Sequence, residues 1–226
     1  MNAEFERVRQ LMALATGDEK HDASAHSTLD VLWVLYDRVM RYDPKEPRSE
    51  DRDRFVLSKG HGPVAYYAIL AAKGFFSPDI LRTFEQYNSI LGGHPDRNLV
   101  PGVEASTGSL GHGFPMAVGI ALALRLKKSP RRVFALIGDG ECNEGTIWET
   151  ALLAGSQALT NLTCIIINNH SSNLQLGDIA AKFAAFGWSA RTIDGRSHTQ
   201  IYEALVQVDA ARPTAVVAEI QKRKEV

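Results

Sequence analysis

Two rhythms of apolar residues alternate along the chain. Over residues 3–17, Phe5, Val8, Leu11, Met12 and Ala15 recur at helical spacing. The polar stretch GDEKHDASAHST follows as a break. TLDVLWVLYDRVM then places Leu29, Leu32, Trp33, Tyr36, Val39 and Met40 on one broad helical face. The charged, proline-containing segment from Asp43 to Glu50 predicts a loop, and RFVLS a short strand leading into KGHG. Helical spacing resumes from Tyr66 to Lys73, where Gly74 ends it, and from Pro78 to Tyr87, where Ser77 is a natural N-cap. From Leu91 to Gly113 the texture is glycine-rich and aperiodic. A loop of that length inside a domain carries function or lacks order.

Beyond that loop, apolar runs of strand length alternate with helical patterns. Phe114 to Lys127 predicts a helix, RRVFALI a buried strand, and TIWETALLAGSQAL a helix with Trp148, Ala151, Leu152, Gly155 and Leu159 on one face. LTCIIIN predicts a second buried strand. A helix over 179–187, the strand SARTID, a helix over 198–210 and the strand TAVVAEI complete the series. Apolar strands alternating with helices predict an α/β fold: an open, mostly parallel sheet with helices on both faces. No internal repeat or long linker divides the chain, so residues 1–226 read as a single domain.

Composition narrows the class. With 45% hydrophobic residues, 23% charged residues and a net charge of −1, the chain has an ordinary globular balance. It has no basic excess of the kind nucleic-acid binding requires. Arg125, Lys127, Lys128, Arg131 and Arg132 read as a solvated helix end, and the terminal QKRKEV as frayed surface. No apolar run reaches the length of a membrane span, and the charged N-terminus lacks the apolar core of a signal peptide. Cys142 and Cys164 have neither disulfide-framework nor metal-type spacing, which points to a reducing, cytoplasmic setting.

The chemistry concentrates at IGDGECNEGTIWETA. Asp139 stands between two glycines directly after the strand VFALI. In parallel sheets, ligands bind beyond the carboxyl ends of the strands. Gly138 and Gly140 let the backbone approach a ligand, and the helical pattern behind them offers N–H groups to a phosphate. The next strand ends in Asn168 and Asn169. If the two strands are neighbours, a carboxylate and an amide oxygen meet at one edge, a hard-oxygen set suited to Mg²⁺ carrying a diphosphate. GDG alone is a common turn. GDG, then 27 residues, then NN, with both halves ending strands, is far more specific.

With these motifs the chain resembles the N-terminal, diphosphate-binding domain of transketolases, from about Leu14 to Ile220. DRFVLSKGHGPVAYYAIL, GGHP, GVEASTGSLGHG and GDGECNEGTIWETALLAG each resemble a transketolase segment. The resemblance implies thiamine diphosphate and Mg²⁺ as cofactors. It implies Asp139 and Asn169 as metal ligands, with the Ser171 carbonyl a third. Gly140 and His61 would face the diphosphate, Gly108 and Leu110 the aminopyrimidine, and Glu144 a subunit interface beside the cofactor. His26 and His94, with His112 as a further candidate, would bound the sugar-binding mouth, and His26, His61 and His94 are the catalytic candidates. Histidine titrates near neutral pH and suits the proton transfers of ketol chemistry. His21 and His198 read as surface residues, and His170 as loop.

The chain also departs from that pattern. ASAHS stands where the family has SGHPG, which leaves the sugar open. NNHSSNLQLGD carries about two extra residues after the metal asparagine, so Asn173 competes with Asn169; spacing from Asp139 favours Asn169. The resemblance covers the diphosphate-binding domain alone. It implies a separate pyrimidine-domain subunit that supplies the activating glutamate, a heterotetramer with two copies of each chain, and sugar or sugar-phosphate substrates. The competing readings are a subunit of a 2-oxo acid-decarboxylating thiamine enzyme and a catalytically silent assembly subunit. A dinucleotide-binding oxidoreductase ranks low, because GSLGHG has the wrong spacing and follows no strand.

Overall fold

A computed structural model describes residues 3–15 and 22–220. His21, the end of the first expected helix and the QKRKEV terminus lie outside the described residues. Five strands form one sheet: β1 (Arg54–Leu57), β2 (Val133–Gly138), β3 (Leu162–Asn168), β4 (Ser189–Asp194) and β5 (Thr214–Glu219). All pairings are parallel, in the order β1-β2-β3-β5-β4. A parallel sheet needs cover on both faces, and the inner strands β2, β3 and β5 are apolar on both. In β2, Phe134 and Leu136 enter one core, while Val133, Ala135 and Ile137 enter the other.

Helices α1 (Ala3–Met12), α2 (Asp22–Val34), α3 (Val64–Ala72) and α7 (His198–Val206) supply the first core, around Trp33, Tyr66 and Tyr67. Helices α4 (Gly113–Leu126), α5 (Gly145–Ser156) and α6 (Ile179–Ala185) supply the second, around Phe114, Phe183 and Trp188. No helix of the described residues is long and apolar enough to cross a membrane. Cys142 and Cys164 are both buried and free.

Four local expectations change. Helix α2 begins at Asp22, so DASAHST is helical and not a break. Pro78–Thr83 is a 3₁₀ turn, capped as expected by Ser77, which accepts from the Asp79 N–H. A 3₁₀ turn over Gly140–Asn143 stands between GDG and α5, so the long helix does not start directly behind the motif. Helix α5 turns Ile147, Thr150, Ala151 and Ala154 inward and leaves Leu152 54% exposed. Its inward face, which packs against α4, is thus about one residue out of phase with the expected one.

Candidate cofactor site

The carboxyl ends of β2 and β3 lie side by side. Gly138 pairs with Ile167, and the Asp139 N–H donates to the Ile167 carbonyl at 3.0 Å. The chain leaving β3 therefore passes directly over Asp139. The Asp139 carboxylate is 2% exposed and accepts from the Ser171 N–H (2.6 Å), the Ser171 hydroxyl (2.7 Å) and the Ser172 N–H (3.0 Å). A side-chain atom built on Gly140 would stand 3.7 Å from the Ser171 hydroxyl. Asp139, Gly140 and Ser171 are thus brought together. Ser171 reaches the carboxylate through donors, whereas the expected metal contact uses its carbonyl.

Asn169 sits one residue past β3, its amide donating to the Ser27 hydroxyl at 3.4 Å. Asn168 pairs in register with Glu219 at the end of β5 and donates to its carboxylate at 2.8 Å. His170 lies 3.3 Å from the same carboxylate. Asp139, Asn168, His170, Ser172, Gln175 and Glu219 line a cleft of about 520 Å³. Neither of the two expected asparagines, Asn169 and Asn173, lines this cleft; Asn173 is exposed, and Asn168 takes the lining position at the end of β3. Glu219 escaped the sequence reading. The rule that ligands gather at strand carboxyl ends would have found it, since TAVVAE ends in an acid.

A second depression, of about 670 Å³, gathers His61, His94, Thr107, Gly108, His112 and Met116. The rings of His61 and His94 pack edge to face with centroids 4.9 Å apart. Gly108 is placed by close approach: a Cβ there would meet the His94 ring at 2.7 Å. The loop stays near the sheet through the Thr107 hydroxyl, which donates to the Leu57 carbonyl at 2.6 Å. Leu110 lies beside this depression and its carbonyl contacts His112 Nδ1 at 3.0 Å. Glu144 is exposed at the N-terminus of α5.

His26 lines neither depression. It lies exposed on α2, and its carbonyl accepts from Arg196 at 2.9 Å. His198 is not a free surface residue. Its Nε2 is 3.0 Å from buried Asp30, which also accepts from Arg196 at 2.6 Å, and its ring packs against Phe5.

Three further groups lie beneath the site. Ser58, Lys59 and Glu141 are all buried. The Ser58 hydroxyl donates to Glu141 at 2.5 Å. Burial pushes the Lys59 ammonium down to about 8, against the pull of Asp139 and Glu141. Burial pushes the Glu141 carboxyl up, against hydrogen bonding from Ser58 and from the backbone of Gly111 in the loop and Gly138 at the end of β2. The donor set fits a metal–diphosphate group: a hard carboxylate, a nearby asparagine and serines, glycine backbone and a buried cation at one strand edge.

A parallel sheet with these groups at its carboxyl edge defines a cofactor-binding α/β domain of the diphosphate-gripping kind. Residues 2–221 match the family described as transketolase, thiamine diphosphate binding domain, and the chain belongs to that family. A protein of Rhodococcoides fascians named ferredoxin fas2 is 46% identical over 97% of this chain and 73% of its own length. The 6-deoxy-6-sulfo-D-fructose transketolase subunit SqwG of a Clostridium strain is 38% identical, over 90% of this chain and 78% of its own. Among solved structures, a transketolase variant of Pichia stipitis superposes with a TM-score of 0.85 at 27% identity, covering 97% of this chain and 36% of that one. The chain therefore spans about a third of a full-length transketolase.

Proposed function

We propose that this chain is the diphosphate-binding subunit of a two-component transketolase. With a pyrimidine-domain subunit it would move a two-carbon ketol unit from a ketose to an aldose. The observation that carries the reading is the buried Asp139 carboxylate at the β2 end, facing the segment that leaves β3. Asp139 and Asn169, with the Ser171 carbonyl, would hold Mg²⁺, and Gly140 would approach the diphosphate. A metal at Asp139 would take over contacts that Ser171 and Ser172 now make.

Bound thiamine diphosphate supplies the carbon nucleophile and the electron sink. The protein orients, excludes water and moves protons. His61 and His94 already share one depression, and they would hold the donor hydroxyl and carbonyl there, with His112 at the rim. Gly108 and Leu110 would line the aminopyrimidine side, and Glu144 would meet the partner subunit. His26 acts only if the partner or substrate reaches α2. The similarity to SqwG, a transketolase subunit, supports a partner chain and a sugar substrate. A heterotetramer, a cytoplasmic setting and a role in carbohydrate metabolism complete the reading.

The test is reconstitution. The purified chain alone is expected to show no ketol transfer, and addition of the pyrimidine-domain chain to restore it in a screen of ketose donors. Transfer by the isolated chain refutes the two-component reading. Turnover of 2-oxo acids in place of ketoses moves the assignment to a decarboxylating enzyme. In the reconstituted enzyme, Gly108→Ala is expected to push the His94 ring aside and lower kcat/KM by about 10²-fold, the usual effect of misplacing a reacting group by about 1 Å. Steady-state kinetics checks this, with circular dichroism confirming the fold.

A further inference from the structure

The glycine-rich loop is held to the site at its far end by a buried acid that the proposed chemistry does not use. Glu141 is 1% exposed. Its Oε1 accepts from the Gly111 N–H at 2.9 Å and from the Ser58 hydroxyl at 2.5 Å. Three segments meet on this one oxygen: the end of β1, the turn after β2 and the loop before α4. Around the junction the backbones are close. Gly111 has φ +82°, and a Cβ there would meet Glu144 Cβ at 2.9 Å. A Cβ on Gly113 would meet the Ser58 hydroxyl at 2.7 Å. The Thr146 hydroxyl donates to the Gly111 carbonyl at 3.0 Å.

A buried carboxylate is a costly acceptor where a neutral one would satisfy the same two donors. Its other oxygen, Oε2, is buried without a hydrogen-bond partner among the described residues. Lys59, 7% exposed, supplies the compensating charge. The turn between Asp139 and Glu141 is stiff, closed by the Cys142 N–H on the Asp139 carbonyl (3.0 Å) and the Glu144 N–H on the Glu141 carbonyl (3.0 Å). Whatever grips Asp139 and Gly140 therefore acts on Glu141, and through it on Gly111.

We propose that Glu141 is a positioning residue, a latch that ties the glycine-rich loop to the diphosphate turn so that cofactor binding and loop order are coupled. The proposal rests on the thiamine diphosphate reading of this site. Coupling of this kind is reciprocal: a loosened loop weakens the cofactor, and bound cofactor protects the loop.

Amide exchange and cofactor titration test it. In the isolated chain, Glu141→Ala is expected to raise exchange over residues 107–113 about tenfold or more, with amides of β2 and β3 unchanged. In the reconstituted enzyme it is expected to weaken thiamine diphosphate binding, measured by calorimetry with Mg²⁺, about tenfold. Glu141→Gln keeps an acceptor and is expected to retain most of the loop protection. If Glu141→Ala does not fold, Ser58→Ala decides: release of the second donor should raise exchange at Gly111 about threefold. Unchanged loop exchange in a folded Glu141→Ala or Ser58→Ala chain overturns the latch, as does cofactor affinity equal to wild type. A wild-type assembly that binds no thiamine diphosphate overturns the cofactor reading instead, and the exchange data still judge the tether.

Discussion

Asp139→Asn is expected to lower ketol transfer by the reconstituted enzyme by 10³-fold or more, and to abolish Mg²⁺-dependent cofactor binding in calorimetry. The side chain keeps its size, so the effect comes from charge and from donors. Asp139 is 2% exposed and accepts three hydrogen bonds, two on Oδ2 and one on Oδ1. An asparagine offers one acceptor oxygen and turns an NH₂ toward a group that is itself a donor. Removing one partner from a buried charge pair costs about 3–5 kcal/mol, and 10³-fold corresponds to about 4 kcal/mol. The cofactor-free variant should still fold, because both cores lie within the sheet and helices, away from this carboxylate. A folded Asp139→Asn enzyme that binds cofactor with wild-type affinity would remove Asp139 from the site.

Gly155→Ala is expected to destabilise the isolated chain by about 3 kcal/mol, a drop in Tm of roughly 6–12 °C. Gly155 lies near the end of α5, where the turn after α6 crosses it. A Cβ there would drive into the Phe186 carbonyl oxygen, reach its carbon at 3.0 Å and meet the Trp188 ring at 3.3 Å. Trp188 is itself pinned, its indole N–H donating to the Ala151 carbonyl at 2.8 Å, so the turn has little room to retreat. Alanine gains about 1 kcal/mol in helix propensity over glycine, which does not offset a backbone collision. Gly119 is the control. It lies within α4 with nothing inside 4 Å of its would-be Cβ, so Gly119→Ala should stabilise the isolated chain by up to about 1 kcal/mol. Thermal and urea unfolding of both variants check the pair. Equal effects would contradict the packing described for α5.

Much of the site could be read from residue order because its parts are short, local motifs. GDG and NN each end a strand, and a parallel β2–β3 pair brings such ends together. KGHG and GGHP placed His61 and His94, and the structure packs their rings together. His26 was harder. It lies in a polar stretch that reads as a break, yet Ala25, Ser27 and Thr28 are buried in a helix. Small polar side chains can pack where large ones cannot, and periodicity of large apolar residues does not register them. His198 read as surface because its partner, Asp30, is 168 residues away in the chain. Glu141 read as one more acid in a turn. Its donors lie 83 and 30 residues away, so only folding could reveal a junction there.

By itself the sequence determined the alternation of strands and helices, the parallel sheet and the identity of the acid at the strand edge. Those follow from periodicity and from local glycine geometry, which act over a few residues. Tertiary structure alone decided which face of α5 turns inward, which histidines share a depression, and that Lys59, Ser58 and Glu141 are shut beneath the site. Burial and hydrogen bonding depend on distance in space, and the segments involved meet only when both faces of the sheet are covered.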